Sequence, residues 1–512
     1  MELSMELQPG SGRHLYEQIY EHIREEIRTG KLLAGEKLPS TRSLAANLKI
    51  ARTTVELAYE QLEEEGYLVI RRGSGAYVCE TQNIPDFPEI DRFGYYPKIP
   101  GNIPKQAVRK RSDERKDKGK TGTGEKSAAE SGSRIDFSPR TIDMSVFPYA
   151  TWRRILRGIL TGDRADLFRR GDPQGDAELR TTIARYLHLS RGCHCDPEQI
   201  VIGAGNDYLM MLLGVLLEDS RIGMESPTYL RAAQVMQAMG FSVEPIRSDA
   251  GGMCADALER SGCRLAYLMP ARQFPTGTVM PYPRRAELLS WAAAGENRYL
   301  IEDDYDSEFK YRGRPVPSLQ SMDERGHVIY LGTFSKSIAP AIRVSYLILP
   351  KNLLAAFHER AGFLSCTVPR LDQAILNEFI QDGFFERYLN RMRNRYRAKH
   401  DLMLELLKPL EKKFDIRGQG SGLHLVLQRK DSSCAAKGED RENRERISGP
   451  ERELAAAAGK AGVLVYPMSE QYLPQGLPDG QKASPAILLG YAALTEEEIR
   501  EGCKRLIRAW KA

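Results

Sequence analysis

Residues 331–349 read LGTFSKSIAPAIRVSYLIL. An apolar strand runs into Thr333, a short polar turn follows, and a second apolar strand leaves from Val344. Between the two strands stand two hydroxyls (Thr333, Ser335), one amine (Lys336) and one guanidinium (Arg343). Hydroxyls and a guanidinium grip phosphate oxygens, and a lysine amine condenses with a carbonyl. The set suits a phosphate ester that carries an aldehyde. Taken singly these residues have bland alternatives, since most lysines are surface charges.

Working outward, the chain gives seven strand-like runs, the last two of which flank this turn: QIVIG (199–203), RIGME (221–225), FSVEPI (241–246), RLAYLM (264–269), RYLIED (298–303), HVIYLGT (327–333) and VSYLILP (344–350). Most are followed by helical stretches. Near-continuous apolar strands with helical crossovers predict an α/β sheet buried on both faces. Ligands of such sheets sit beyond the carboxyl ends of the strands, so the polar residues there are the candidates. GAGNDYLMMLLGVLL (203–217) is a glycine-rich turn opening a helix, able to hold a phosphate or to be only a tight turn. IEDDYDSEF (301–309) places carboxylates at a strand end.

The first 80 residues have a different rhythm. HLYEQIYEHIREEIRTGKL (14–32) puts Leu15, Ile19, Ile23 and Ile27 on one helix face, and Gly30 can end that helix. AGEKLPS is a turn, Ser40 a good N-cap for TRSLAANLK, and ARTTVELAYEQLEEEG a third helix with the stripe Val55, Ala58, Tyr59 and Leu62. Two short helices across a tight turn make a helix-turn-helix. YLVIRRGSGAYVCE (67–80) then reads as a two-stranded wing around Gly73 and Gly75. The module holds ten Lys and Arg against thirteen Asp and Glu. Its basic residues are nonetheless segregated: Lys37, Arg42, Lys49 and Arg52 precede the acidic run from Glu56 to Glu65.

Residues 81–133 are rich in Pro, Gly, Ser and Lys, and read as a flexible linker between module and sheet domain. From Lys105 to Lys120 there are eight basic and three acidic residues, suited to a solvated tether or to contact with DNA phosphates. The chain of 512 residues, 41% hydrophobic, exceeds one core. The longest apolar run, Leu209 to Leu217, is half a membrane span, and the N-terminus has no secretory pattern. A cytoplasmic location is expected. Eight scattered cysteines form no disulfide framework, and Cys193-His194-Cys195 offers too few ligands for zinc, so no metal is expected.

The pattern LYEQIYEHIREEI…GEKLPSTRSLAANLKIARTTVELAYEQLEEEGYL…GSGAYV resembles the GntR family of winged-helix regulators. That resemblance implies DNA contacts by Arg42, Arg52, Thr53 and Thr54, with the wing glycines Gly73 and Gly75 approaching the backbone. Ala51 stands where that family usually has an N-capping serine, a loss on the order of 1 kcal/mol. From Arg134 to the C-terminus the chain resembles fold-type I aminotransferases, which are pyridoxal 5′-phosphate (PLP) proteins. The resemblance implies a seven-stranded, mostly parallel sheet and a small C-terminal α+β subdomain. The two domains together look like the MocR subgroup of GntR regulators. By this likeness Lys336 is the Schiff-base lysine. Asp303 pairs with the pyridine nitrogen, Tyr305 lies near the ring oxygen, and Tyr229 (ESPTYLRA) stacks on the ring. Gly205, Asn206, Thr333, Ser335 and Arg343 hold the phosphate.

Two departures bear on the ligand. In QFPTGTVM (273–280) Phe274 replaces the asparagine of the family's N-P-T-G turn, and Arg272 stands where the subgroup often has histidine. In VLVYPMSEQYL (463–473) Glu470 stands where relatives that bind an amino-acid carboxylate can have arginine. A carboxylate there repels another carboxylate, which leaves Arg231, or an arginine elsewhere, as a candidate ligand residue. The expected function is a PLP-dependent, homodimeric transcriptional regulator binding double-stranded operator DNA and sensing an amine, an amino acid or PLP itself. The alternative is a working aminotransferase with an accessory DNA-binding module.

Overall fold

The computed structural model describes residues 14–29, 31–33, 35–64, 67–71, 75–78, 134–161, 164–311, 316–430, 436–437, 441–478 and 481–511, with Met5, Leu7 and Gln8. The linker reading and Gly73 lie outside the described residues, as does Gly30.

Three helices build the N-terminal module: α1 (Leu15–Arg28), α2 (Thr41–Leu48) and α3 (Arg52–Glu64). Ile19, Ile23 and Ile27 of α1 and Val55, Ala58, Tyr59 and Leu62 of α3 are buried together, as their spacing requires. The Ser40 hydroxyl accepts the Ser43 amide at 3.1 Å and caps α2. Strands β1 (Leu68–Arg71) and β2 (Gly75–Val78) pair antiparallel as the wing. Gly75 has φ +116°, and a Cβ there would lie 2.9 Å from Lys37 Cε, so the close neighbour of this glycine is a side chain of its own module.

The large domain carries all seven anticipated strands in one sheet: β3 (Ile200–Gly203), β4 (Arg221–Glu225), β5 (Ser242–Ile246), β6 (Leu265–Leu268), β7 (Tyr299–Asp304), β8 (Val328–Thr333) and β9 (Ser345–Ile348). Their order is β3-β9-β8-β7-β6-β4-β5, with only β9 antiparallel to its neighbours. Apolar clusters cover both faces, one centred on the helix Phe384–Leu407, the other on α4 (Asn206–Leu216) and α5 (Leu230–Ala238). A second, antiparallel sheet of four strands, containing Phe414–Arg417, His424–Arg429, Tyr466–Pro467 and Ala486–Gly490, forms the C-terminal subdomain.

One further contact links module and large domain. Tyr282, at the start of the helix Tyr282–Ala293, packs against the module core and stacks on Tyr67 with ring centroids 5.6 Å apart. Among the described residues no helix is long and apolar enough to cross a membrane.

Candidate cofactor site

The carboxyl ends of β3, β4, β7 and β8 converge, because parallel strands all point their loops the same way. From β3 comes the turn Ala204-Gly205 into α4. Gly205 has φ +90°, and a Cβ there would sit 2.1 Å from the Arg343 guanidinium, so only glycine lets Arg343 lie across the turn. From β8 come Thr333, whose hydroxyl accepts the Ser335 amide at 3.1 Å and the Ser345 hydroxyl at 2.8 Å, and then Ser335 and Lys336. The buried oxygens Ser335 Oγ and Asn206 Oδ1 have no protein partner. Buried polar atoms left open in this way, beside a helix N-terminus and a guanidinium, suit phosphate.

From β7 comes Asp303, 4% exposed. It accepts the Tyr267 hydroxyl and, at 3.4 Å, the Asn206 amide nitrogen. Burial pushes its carboxyl up to about 7, against the pull of the Tyr267 hydrogen bond. A carboxyl held up by desolvation gains when a cation arrives, and a protonated ring nitrogen is such a cation. Tyr229 and Tyr305 each meet the Phe274 ring edge to face, at 6.1 and 6.3 Å between centroids. Phe274 therefore sits between the two expected ring contacts, filling the asparagine position with an apolar wedge.

Lys336 donates to the carbonyls of Arg140 at 2.8 Å and Pro139 at 3.3 Å. Its pKa is lowered to about 8, chiefly by burial, with Asp306 opposing and Arg140 assisting. A primary amine near pH 8 has enough neutral form to act as a nucleophile.

Sequence reasoning missed three groups. Tyr267, internal to β6, looks like packing, yet it is the hydroxyl on Asp303. The Pro139 and Arg140 carbonyls lie 197 and 196 residues from the lysine they hold. Arg272, noted only as a departure, is 2% exposed and donates to Asp306 at 3.2 Å, the His424 carbonyl at 2.8 Å and the Tyr305 hydroxyl at 3.5 Å. His424 is kept neutral by burial and by this guanidinium. Its Nδ1 faces Arg272 at 3.1 Å and its Nε2 the Pro275 carbonyl at 3.0 Å, which a neutral ring protonated on Nε2 satisfies. Gly422 leaves room for Arg272: a Cβ there would be 2.1 Å from its Cζ.

The expected ligand residues are placed otherwise. Arg231 has a side chain 62% exposed and lies 3.6 Å from Asp207. Glu470 is exposed on the turn Met468–Gln471. Cys193 is buried with its sulfur 3.2 Å from the Ser318 hydroxyl. In the module Arg42, Arg52 and Thr53 are exposed and Thr54 half-buried, with Arg52 paired to Glu56 at 2.7 Å.

A winged helix-turn-helix joined to a sheet domain with a lysine, a buried aspartate and a phosphate cradle at its strand ends defines a class: DNA-binding regulators built on an aminotransferase fold. Residues 15–78 match the gntR family of bacterial regulatory proteins, and residues 145–506 match aminotransferase class I and II. The chain belongs to both families, in the fused architecture of the MocR regulators. It is 39% identical to the uncharacterized HTH-type transcriptional regulator YdeL of Bacillus subtilis (strain 168), over 97% of each chain. It is 31% identical to the probable rhizopine catabolism regulatory protein MocR of Rhizobium meliloti, over 97% of this chain and 94% of that one. Among solved structures, a kynurenine aminotransferase of Pyrococcus horikoshii superposes with a TM-score of 0.61 at 25% identity, covering 74% of this chain and 91% of that one.

Proposed function

We propose that this protein is a homodimeric transcriptional regulator that holds PLP on Lys336 and changes its DNA binding when an amine, an amino acid or PLP itself engages there. The observation that carries the reading is the buried, partnerless pair Ser335 Oγ and Asn206 Oδ1 beside a lysine lowered to about 8. Gly205, Asn206, Thr333, Ser335 and Arg343 would hold the phosphate, Asp303 the ring nitrogen, Tyr305 the ring oxygen and Tyr229 the ring face. When bound, PLP supplies a carbonyl for amines and an electron-withdrawing ring. The chain's own residues orient that ring, and the Tyr267 hydroxyl and Asn206 amide hold the Asp303 carboxyl in place for it. Arg42, Arg52, Thr53 and Thr54 would meet DNA phosphates and base edges, with Gly73 and Gly75 in the wing.

A ligand alters DNA binding only through different affinity for two states. Tyr282 gives a contact through which the states can differ: it follows Thr278 of the QFPTGTVM turn by four residues and stacks on Tyr67 of the module. The regulator reading is favoured over the aminotransferase reading because relatives of the same architecture are regulators. The test follows fluorescence anisotropy of an operator-bearing duplex as PLP and then amines are added. The wild-type protein is expected to change DNA affinity with PLP, and Lys336→Ala to show no response. Equal responses in both, or steady keto-acid production with DNA binding unmoved, would reject the reading.

A further inference from the structure

We infer that Arg140 is the residue that selects an acidic effector at the Lys336 site, pairing with the acid group of an amino acid whose amine is directed to Lys336. The inference rests on the proposed reading of Lys336 and adds to it the effector's class and the group that recognises it.

The segment carrying Arg140 is clamped at both ends. Upstream, Ile135–Asp136 pairs in parallel with Val463–Leu464, and the Gly490 amide donates to the Phe137 carbonyl at 2.8 Å. A Cβ on Gly490 would lie 2.2 Å from the Ser138 carbonyl oxygen, so that strand position admits the segment only as glycine. Downstream, Asp143 is buried and held by Lys399 and Arg395, each at 2.7 Å. Between these anchors the Arg140 carbonyl meets the Lys336 amine at 2.8 Å. The backbone of Arg140 is thereby fixed next to the reactive nitrogen.

Its side chain is exposed, and no carboxylate among the described residues lies within ion-pair distance of it. The guanidinium is near enough for its charge to act on Lys336, Tyr229 and Tyr466, on a residue whose carbonyl already touches the Lys336 amine. The other arginines around the site are committed. Arg231 and Arg343 share Asp207, at 3.6 and 3.7 Å, and Arg272 is sealed against Asp306. An unpaired guanidinium beside a lysine is a poor arrangement for the lysine's own ammonium, and a good one for an acid group arriving with an amine.

The experiment uses the full-length PLP-loaded protein and matched pairs of probes: β-alanine with ethylamine, and γ-aminobutyrate with propylamine. Each is titrated against the cofactor's visible absorbance in wild type, Arg140→Met and Arg140→Lys. Wild type is expected to bind at least one acid about 10- to 100-fold more tightly than its matched amine, the range for a charge-assisted bond. Arg140→Met loses that preference, each acid then binding no more tightly than its matched amine, and Arg140→Lys keeps part of it. An acid preference that survives in Arg140→Met, or a wild type that responds equally to acids and amines, overturns the assignment. If no probe moves the absorbance in any variant, this inference fails, whereas a protein that cannot be loaded with PLP would reject the reading of Lys336 instead.

Discussion

Asp303→Asn is expected to make the cofactor-free protein more stable at pH 8 and to bind PLP far more weakly. The two effects have one cause. Asp303 is 4% exposed, and burial raises its carboxyl from 3.8 to about 7. A carboxyl with a raised folded-state pKa contributes stability that is fully present below the unfolded value and lost as pH rises through the folded value. By pH 8 the ionised carboxylate costs the cofactor-free fold about 2–4 kcal/mol. Asparagine removes that charge and still offers an oxygen to the Tyr267 hydroxyl. The gain is expected to shrink as pH falls from 7 toward 4. With PLP present the charge is an asset, and breaking such a buried pair costs about 3–5 kcal/mol, or about two to four orders of magnitude in retention. Thermal unfolding at pH 8 and pH 5, with cofactor release followed by absorbance, reads both signs. A variant less stable at pH 8, or one that keeps PLP as wild type does, would contradict the assignment.

Arg272→Met is expected to destabilise the large domain by about 3–5 kcal/mol, measured by denaturant unfolding. Arg272 and Asp306 are both 2% exposed and lie 3.2 Å apart. Removing the guanidinium leaves a buried carboxylate without its cation, empties the acceptors His424 O and Nδ1, and withdraws a donor from Tyr305. The double variant Arg272→Met, Asp306→Asn is expected to recover much of the loss, since the residual charge is then gone. Full additivity of the two single changes would show that the pair is not coupled.

These two residues also mark how far the sequence could be read. The seven strands were legible because each is a short apolar run bounded by turn residues; Lys336 and the carboxylates of 301–309 stood out as candidates because they fall at strand ends, while the roles expected of Asp303 and Tyr305 came from the family resemblance. Ile19, Ile23 and Ile27, and the stripe from Val55 to Leu62, were legible as helix faces for the same periodic reason. Tyr267 was not: inside β6 nothing local separates a hydroxyl that serves a carboxylate from one that only packs. The grip of Pro139 and Arg140 on Lys336 was not legible either, since backbone carbonyls leave no mark on a sequence and these come from the far end of the domain. Arg272 showed as an anomaly, but its meaning depends on Asp306, His424 and the space left by Gly422, which only the fold assembles. Arg231 was a candidate ligand residue only because Glu470 repels a carboxylate; it is exposed and lies 3.6 Å from Asp207.

The most direct test of the account is to reduce the PLP-treated protein with borohydride and map the phosphopyridoxyl group by peptide mass. The expected result is a single modified residue, Lys336, whose labelling falls when an effector amine is added before reduction. A label on another lysine, or none on Lys336, would contradict the account at its centre.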